Sequence, residues 1–466
     1  MRGKDLGQLG IPSGKTRQQV LKIIGQEMKN GASAAELREK VTAVATEPSK
    51  HVDDALFGKL ARALIDIATA QARFEKREAP APYRQWGTDL EEQAVEQMRH
   101  ACELPVAVRG ALMPDAHLGY GLPIGGVLAT RNAVIPYAVG VDIACRVKMT
   151  VLDLPVETLE KGEDRLVGAI EHETRFGIGA HFKSPRQHDV LDANWSVSPV
   201  TIRERDRGRK QLGTSGSGNH FVEFGVLTVD EGSGLSFPAG DYLALLSHSG
   251  SRGTGAQVAD HYSKLAMSQH PELPSELRHL AWLDLDSDDG QEYWAAMELM
   301  GQYAAANHEC IHRHIAEHLG AEVLLDLENH HNFAWKEVHD GEELIVHRKG
   351  ATPAGEGVLG LIPGSMADST YIARGKGNAD SLNSAAHGAG RVMSRTKAKK
   401  LFAWDQVAPY LAQRKVKLLS AGLDEVPMVY KNIDEVMAAQ SDLVDPLAKF
   451  QPRLVKMAPA GERPED

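Results

Sequence analysis

Three histidines of the sequence lie in short loops that are rich in glycine, serine and asparagine. They are His220 in GTSGSGNHF, His248 in LLSHSGSRG and His331 in ENHHNF. A further polar segment carries Asp142 and Cys145, which directly follow the apolar run AVGV. A thiolate can bridge two cations, imidazoles suit first-row transition metals, and a carboxylate also accepts harder ions. These side chains predict a metal site for zinc, manganese or cobalt, and they exclude magnesium or calcium alone.

A second reactive group lies in the segment SAAHGAGRVMSR, residues 384–395. The two glycines beside His387 leave room for a phosphate close to its imidazole ring. Arg391 and Arg395 are one helical turn apart and would face that phosphate together. A histidine in such surroundings can act as a general base or as a nucleophile that forms a phosphoramidate.

Two other segments match known signatures only in part. The segment LGIPSGKT, residues 9–16, lacks the first glycine of a phosphate-binding P-loop, and no strand is predicted before it. The segment HECIH has zinc-protease spacing, which places His308 and His312 on one helix face. His318 follows, but Ile315 replaces the glycine that would turn the chain back. We therefore dismiss the P-loop and keep a zinc metalloprotease as an alternative.

The spacing of apolar residues predicts the elements that position these groups. Residues 1–80 are predicted to form a helical unit, with helices over residues 16–30 and 53–75. The pattern from Thr88 to Glu91 predicts a capping box that opens a helix ending near Cys102. Beyond residue 105, Val- and Ile-rich runs alternate with glycine-rich loops and helices. Residues 81–466 are therefore predicted as one α/β (α+β) domain with mixed β-sheets flanked by helices.

Composition narrows the class of protein. The 466 residues carry a formal net charge of −11, which argues against non-specific coating of nucleic acid. Two basic stretches, residues 203–210 and 395–400, could still form a local groove for a polyanion. Three cysteines are too few for a disulfide framework, and no apolar run is long enough to span a membrane. We expect a cytoplasmic enzyme.

Taken together, the motifs resemble the RtcB family of RNA-splicing ligases over residues 80–460. In the family's order they are MPDAHLGYGLPIGGVLAT, GVDIAC, QLGTSGSGNHF, HSGSRG, HHN, HRKGAT, IPGSM and HGAGRVMSR. The resemblance implies an enzyme of RNA splicing or repair that uses GTP and Mn²⁺. It would join RNA ending in a 2′,3′-cyclic phosphate or 3′-phosphate to RNA beginning with a 5′-hydroxyl.

The resemblance also implies roles for individual residues. His387 would become guanylylated before GMP passes to the RNA 3′-phosphate. The implied ligands of the two Mn²⁺ ions are Asp142, Cys145 and His220 for one, and Cys145, His248 and His331 for the other. The implied GTP contacts are Asn219 and Arg391 at the α-phosphate, and Glu223, Ser365, Thr370, Tyr430 and Lys456 at the guanine and ribose. Glu223 would read the base, since a carboxylate facing guanine N1 and N2 rejects adenine.

Several features depart from the family pattern. Arg146 follows Cys145 where glycine is common, and it would either repel metal or bind the RNA phosphate. Thr370 replaces a usual serine, and the loop before IPGSM is short. The helical unit over residues 1–80 is not part of the family core. These departures predict a divergent branch whose RNA substrate need not be an intron-containing tRNA.

Three alternatives to sealing remain open on sequence alone. The enzyme could guanylylate RNA 3′-phosphate ends without joining them, or it could be an RNA-end binder that has lost catalysis. The zinc protease is the third, and it depends on His308 and His312. An activating protein partner is also expected to be possible for the ligase.

Overall fold

The computed structural model describes residues 2–11, 15–73, 77–235 and 237–463. The chain divides into two compact units. The first contains Met1–Lys76 and Lys264–Ala281, and the second contains Arg77–Ser263 and Trp282–Asp466. The apolar pattern gave no indication that the segment 264–281 would join the N-terminal helices.

The first unit has helices α1 (Gly3–Gln8), α2 (Lys15–Lys29), α3 (Ala34–Thr46) and α4 (Gly58–Arg73). Helix α2 has the predicted position, whereas α4 begins five residues later than predicted. The Asp54 carboxylate accepts hydrogen bonds from the backbone N–H groups of Leu56 and Phe57, which fixes a turn before the helix. Residues 12–14 of the P-loop-like segment and the predicted helix end at Glu75 lie outside the described residues.

The remaining helices follow the order of the chain. They are α5 (Glu92–Cys102), α6 (Pro136–Val139), α7 (Thr158–Lys161), α8 (Glu163–Glu173), α9 (Pro199–Gln211), α10 (Arg252–Gln269), α11 (Asp288–Leu319), α12 (Arg395–Leu401), α13 (Trp404–Gln413) and α14 (Ile433–Ala439). The predicted capping box before α5 is wrong, because the N-cap is Glu91 and no side chain caps the helix. The Glu91 carboxylate instead accepts a hydrogen bond from the backbone N–H of Leu118.

The strands all belong to the second unit. The first are β1 (Tyr83–Gln85), β2 (Ala107–His117), β3 (Ile124–Thr130), β4 (Ala133–Val134), β5 (Arg146–Leu152), β6 (Phe221–Val229), β7 (Gly240–Ser249), β8 (Leu283–Asp284) and β9 (Val323–His330). The rest are β10 (Asn332–His339), β11 (Glu342–Lys349), β12 (Ala351–Pro353), β13 (Leu359–Ile362), β14 (Thr370–Gly375), β15 (Ser384–Ala386), β16 (Lys417–Ser420) and β17 (Val444–Met457).

Two sheets dominate this unit. One has the order β1-β2-β3-β11-β10, and the other has the order β13-β14-β17-β6-β7-β5-β9, with β16 paired to β17. Each sheet combines antiparallel pairs with a parallel one, β1 with β2 and β16 with β17. Helices α8 and α11 pack on the larger sheet, where Leu166, Ile311 and Ile315 contact Val222 and Leu243. The predicted mixture of helices with mixed sheets is confirmed.

The register of the larger sheet brings distant sequence motifs side by side. Strand β5 lies between β7 and β9, so that Arg146 is opposite Ser249 on one side and His330 on the other. Phe221 in β6 is opposite His248 in β7. The polar loops at these strand ends therefore meet at one edge. No helix in the described ranges is long and apolar enough to cross a membrane.

Candidate active site

A cavity of about 470 Å³ opens in the second unit, beside the strand ends that carry the polar loops. Both sheets contribute to its wall. The predicted site residues that line it are Asp142, Cys145, Asn219, Glu223, His248, His331, Ser365, Thr370, His387, Arg391 and Tyr430. The structure thus brings together most of the residues that the sequence motifs singled out.

Cys145 lies between two groups of potential metal ligands. Its Sγ is 3.1 Å from His248 Nε2, which is 3.2 Å from His331 Nε2. On the other side, its Sγ is 3.6 Å from His220 Nε2, which is 3.0 Å from the Asp142 carboxylate. Within each triad the ligand atoms lie within 4.8 Å of one another, and all five residues are buried. Each triad could hold a metal ion, with the sulfur shared.

Burial sets the protonation of these groups. It lowers the pKa of His248 to about 3, helped by the charge of His220, and it holds the pKa of His331 well below its usual value. Burial alone would raise the pKa of Asp142, but the hydrogen bond and charge of His220 outweigh it and lower the pKa. Neutral imidazoles and an ionised carboxylate are the forms that coordinate metal ions. The donor set therefore fits a transition metal.

His387 follows strand β15, and its ring centroid lies 4.8 Å from that of His331. Its Nδ1 is 2.7 Å from the carboxylate of Asp115, which is fully buried in strand β2. The same carboxylate accepts the backbone N–H groups of His387 and Gly388. An Nδ1–H group that donates to a carboxylate leaves the Nε2 lone pair available for attack on an electrophile.

The glycines of this segment have a different role from the predicted one. Gly390 has a φ of +71°, and a Cβ there would lie 2.0 Å from the carbonyl oxygen of Asp115. Gly388 is also confined, since its Cβ would lie 3.0 Å from the carbonyl oxygen of Pro363. These glycines let the chain pass against its neighbours, and the space for a ligand comes from the cavity itself.

Comparison with known proteins identifies the family. The model of the family described as tRNA-splicing ligase RtcB matches residues 97–199 and 187–457. This chain belongs to the RtcB family. The RNA-splicing ligase RtcB of Escherichia coli strain K12 is 35% identical over 399 residues, covering 78% of this chain and 94% of the relative. The tRNA-splicing ligase RtcB of Nanoarchaeum equitans is 34% identical over 437 residues, covering 78% of this chain and 91% of the relative.

Glu223, Asn219 and Thr370, three of the predicted nucleotide contacts, all line the cavity of this RtcB chain. Glu223 in β6 is 2% exposed, and burial raises the pKa of its carboxyl group well above the usual value. The buried amide oxygen of Asn219 has no hydrogen-bond partner within the described part of the chain. A buried polar atom without a partner costs free energy, so it indicates a group that a ligand satisfies. Thr370 is buried at the start of β14.

Arg391 and Arg395 both line the cavity, but they do not lie on one helix face as predicted. Helix α12 begins only at Arg395. The Arg391 guanidinium contacts the Glu425 carboxylate at 3.3 Å and donates to the backbone carbonyl of Asp424 at 2.7 Å. Arg395 also forms an ion pair with Glu425, and Tyr430 donates its hydroxyl to the same carboxylate. A phosphate at this point would compete with Glu425 for both guanidinium groups.

Lys456 does not join the other candidates. Its neighbours Val455 and Met457 line the cavity, and side chains alternate between the two faces of a strand. Lys456 therefore points to the opposite face of β17, where its ammonium forms an ion pair with Glu171 and lies 5.3 Å from the ring of Phe176. Its motif position gave no information about this alternation.

Arg146 neither faces the metal triads nor reaches the cavity wall. Its buried guanidinium donates to Glu328 at 2.8 Å and to the backbone carbonyl of Gly301 at 3.1 Å. Both partners lie on the side of β5 that faces helix α11. These contacts hold the guanidinium in place, although its charge still interacts with Cys145, and the two predicted effects, on the metals and on an RNA phosphate, stay predictions.

The protease-like segment lies within helix α11, and its two histidines face the interior of the protein. His308 Nδ1 and His312 Nε2 each lie 2.7 Å from the hydroxyl of Ser247, and both rings are buried. Glu309 points to the surface, where its carboxylate pairs with His188 at 3.1 Å. A protease would need this carboxylate beside a metal held by the two histidines. The structure therefore argues against a zinc protease.

Three residues of the site escaped the sequence interpretation. Asp115 and Lys349 lie in motifs that supported the family resemblance, yet the motifs gave no role to either. Burial lowers the pKa of Lys349, which lines the cavity, to about 7. Glu425 lies in a segment without any motif. The useful signal for Asp115 is a lone acid among the apolar residues of β2, because a buried carboxylate needs partners.

Proposed function

We propose that this RtcB chain is a GTP- and Mn²⁺-dependent RNA ligase. Its proposed substrates are RNA ends with a 2′,3′-cyclic phosphate or 3′-phosphate and RNA ends with a 5′-hydroxyl, as the resemblance of its motifs implies. The names of its relatives support RNA splicing and ligation. One observation carries the proposal: two ligand triads share Cys145, and the His387 ring lies 4.8 Å from a member of one triad. RNA-end binding alone requires no such nucleophile.

The chain's own residues account for the first chemical step. Asp115 holds Nδ1 of His387, so that Nε2 attacks the α-phosphorus of GTP, and pyrophosphate leaves. A 2′,3′-cyclic phosphate end would first react with water, which breaks its P–O2′ bond and leaves a 3′-phosphate and a 2′-hydroxyl. The phosphoramidate then transfers GMP to an oxygen of the RNA 3′-phosphate, which restores the imidazole. Attack by the 5′-hydroxyl on this activated phosphate forms the phosphodiester and releases GMP. Each step breaks one P–N or P–O bond and forms another.

We assign the two triads to two metal ions. Asp142, Cys145 and His220 would hold one ion, and Cys145, His248 and His331 would hold the other. Bound cations would neutralise phosphate charge and stabilise the charge that develops during phosphoryl transfer. We propose Mn²⁺, while Zn²⁺ and Co²⁺ also suit imidazole with thiolate.

The nucleotide is proposed to be GTP because Glu223 presents a carboxyl group in a closed part of the cavity. Two adjacent donors on guanine favour the ionised carboxylate and would oppose the effect of burial, which raises the pKa of Glu223. Adenine offers no matching pair of donors. The other proposed contacts are Asn219, Arg391, Ser365, Thr370 and Tyr430.

The test is incubation with GTP labelled in its α-phosphate and Mn²⁺, followed by a denaturing gel. We expect a labelled protein band that disappears in His387→Ala and persists in His314→Ala, a control whose imidazole pairs with Glu317 elsewhere on α11. Addition of RNA ends should then move the label to RNA and yield a joined product. Absence of an adduct with every divalent metal tried would overturn the proposal.

The same assay separates sealing from end capping. An enzyme that only guanylylates RNA 3′-phosphate ends would form the adduct and transfer GMP, yet no joined RNA would appear. We also propose a cytoplasmic location, because none of Cys102, Cys145 and Cys310 forms a disulfide, and a reducing compartment keeps cysteines in that state. An activating protein partner stays a prediction.

A further inference from the structure

The loop between β2 and β3 carries an unusually exposed aromatic side chain into the cavity. Tyr120 is 67% exposed and lines the cavity, and Leu118 beside it is 47% exposed. Large apolar surfaces at the mouth of a binding cavity mark contacts with a partner or ligand. The proposed metal and GTP contacts do not involve this loop.

The loop is held in place by side chains from other elements. Gln97 in α5 donates to the backbone carbonyl of Gly119 at 2.7 Å and accepts its N–H at 3.0 Å. The Glu91 carboxylate accepts the N–H of Leu118 at 2.8 Å, and the Lys349 ammonium donates to the carbonyl of Tyr120 at 2.6 Å. These four bonds fix the backbone of the loop and therefore the point from which the Tyr120 side chain extends into the cavity.

The loop that carries Tyr120 follows the strand that positions the reacting histidine, His387. Tyr120 follows Asp115 by five residues, and Asp115 holds the imidazole of His387. The proposed base reader Glu223 and Thr370 belong to the larger sheet, whereas the loop extends from the five-stranded sheet. The wall beside Tyr120 is thus left for the other substrate of the GMP transfer, the RNA 3′-phosphate end.

We infer that the Tyr120 ring stacks on the nucleobase of the 3′-terminal nucleotide of the RNA that accepts GMP. Stacking on an aromatic ring tolerates every base, because each base has a π-face. A ligase that seals cleaved ends of different sequence needs contact of this kind. The inference rests on the proposed ligase function and adds the subsite that positions its RNA end.

The experiment measures single-turnover transfer of labelled GMP from the purified adduct to RNA with a 3′-phosphate. We expect Tyr120→Ala to raise the RNA concentration for half-maximal transfer about tenfold or more, and Tyr120→Phe to retain wild-type behaviour. RNA that lacks the 3′-terminal base should bind the wild-type enzyme as weakly as intact RNA binds Tyr120→Ala. The concentration of this abasic RNA for half-maximal transfer should not change further in Tyr120→Ala. Val338→Ala, which removes a 70% exposed side chain of β10, is the control.

The outcomes distinguish this inference from the proposed function. If the wild-type chain forms no adduct, the proposed function fails first. If it forms the adduct and joins RNA, three results overturn the inference alone: unchanged RNA dependence in Tyr120→Ala, an equal loss on intact and 3′-abasic RNA, or loss of adduct formation in this variant. Sensitivity to removal of the 5′-terminal base instead would assign the ring to the other RNA end and also overturn it.

Discussion

The reactivity of His387 depends on a single buried carboxylate. Asp115 contacts the imidazole Nδ1 and two backbone N–H groups at once, so it fixes both the tautomer and the position of the ring. Its second oxygen is buried and has no hydrogen-bond partner among the described residues. Such a carboxylate is costly to bury and is retained where it orients another group.

The first prediction concerns this pair. Asp115→Asn is expected to slow formation of the GMP adduct on the order of 10³-fold, because a neutral amide neither fixes the tautomer nor stabilises positive charge on the imidazole. The rate is measured with labelled GTP in single-turnover reactions. Asp340→Asn, which alters an exposed carboxylate paired with Arg109, is the control and should keep the wild-type rate. An equal rate in Asp115→Asn would show that Asp115 does not act through His387.

Functional residues could be predicted from the sequence where a motif combined reactive side chains with a characteristic spacing. The five triad residues and His387 were predicted in this way, and the structure brings them together. Lys456 was placed wrongly, because a motif position does not say to which face of a strand a side chain points. Asp115 was missed because its function depends on a contact 272 residues away in sequence.

Helix α11 supports the strand that carries His248. Ser247 precedes it in β7 and points to the other face, where its hydroxyl lies between His308 and His312. Thr150 in β5 continues this line of hydrogen bonds, since its hydroxyl contacts His312 Nδ1 at 2.7 Å. Burial holds the pKa values of both histidines well below the usual value, so the network is neutral. The protease-like motif is thus explained by packing.

A second prediction follows from this network. Ser247→Ala leaves two buried imidazole nitrogens without their hydroxyl partner, and each such loss costs about 1–3 kcal/mol. We expect a decrease of about 2–6 kcal/mol in the free energy of unfolding of the second unit, measured by urea denaturation. Glu309→Gln, on the same helix, should change neither stability nor adduct formation. A peptidase activity of the wild-type chain that Glu309→Gln abolishes would instead revive the protease hypothesis.

Elements were predictable where the apolar period was regular, as in α2. The predicted helix boundaries were wrong where a side chain makes a tertiary contact or fixes a turn and does not cap the helix. Glu91 holds the loop at Leu118 and so leaves α5 without a side-chain cap. Asp54 similarly delays the start of α4 by fixing a turn. Such uses of a side chain depend on parts of the chain that a local pattern does not contain.

At the scale of the whole chain, the ligand triads join segments that are far apart in sequence. Residues 142, 145, 220, 248 and 331 come from loops and strands around β5, and their donor atoms meet only in the folded state. A ligand that binds only the folded state stabilises it by mass action. Metal binding should therefore be visible in the unfolding of the second unit.

The third prediction uses this coupling. At a Mn²⁺ concentration about 100 times the dissociation constant, the expected stabilisation is about 2.7 kcal/mol for each of the two sites, and calorimetry should show a Tm raised by several degrees relative to chelator-treated protein. Cys145→Ala should abolish most of this shift, because both triads lose their common sulfur. Cys310→Ala, at another buried free thiol, should lower the baseline Tm yet retain the shift. A full shift in Cys145→Ala would mean that Mn²⁺ binds elsewhere, and the assignment of the triads would then fail.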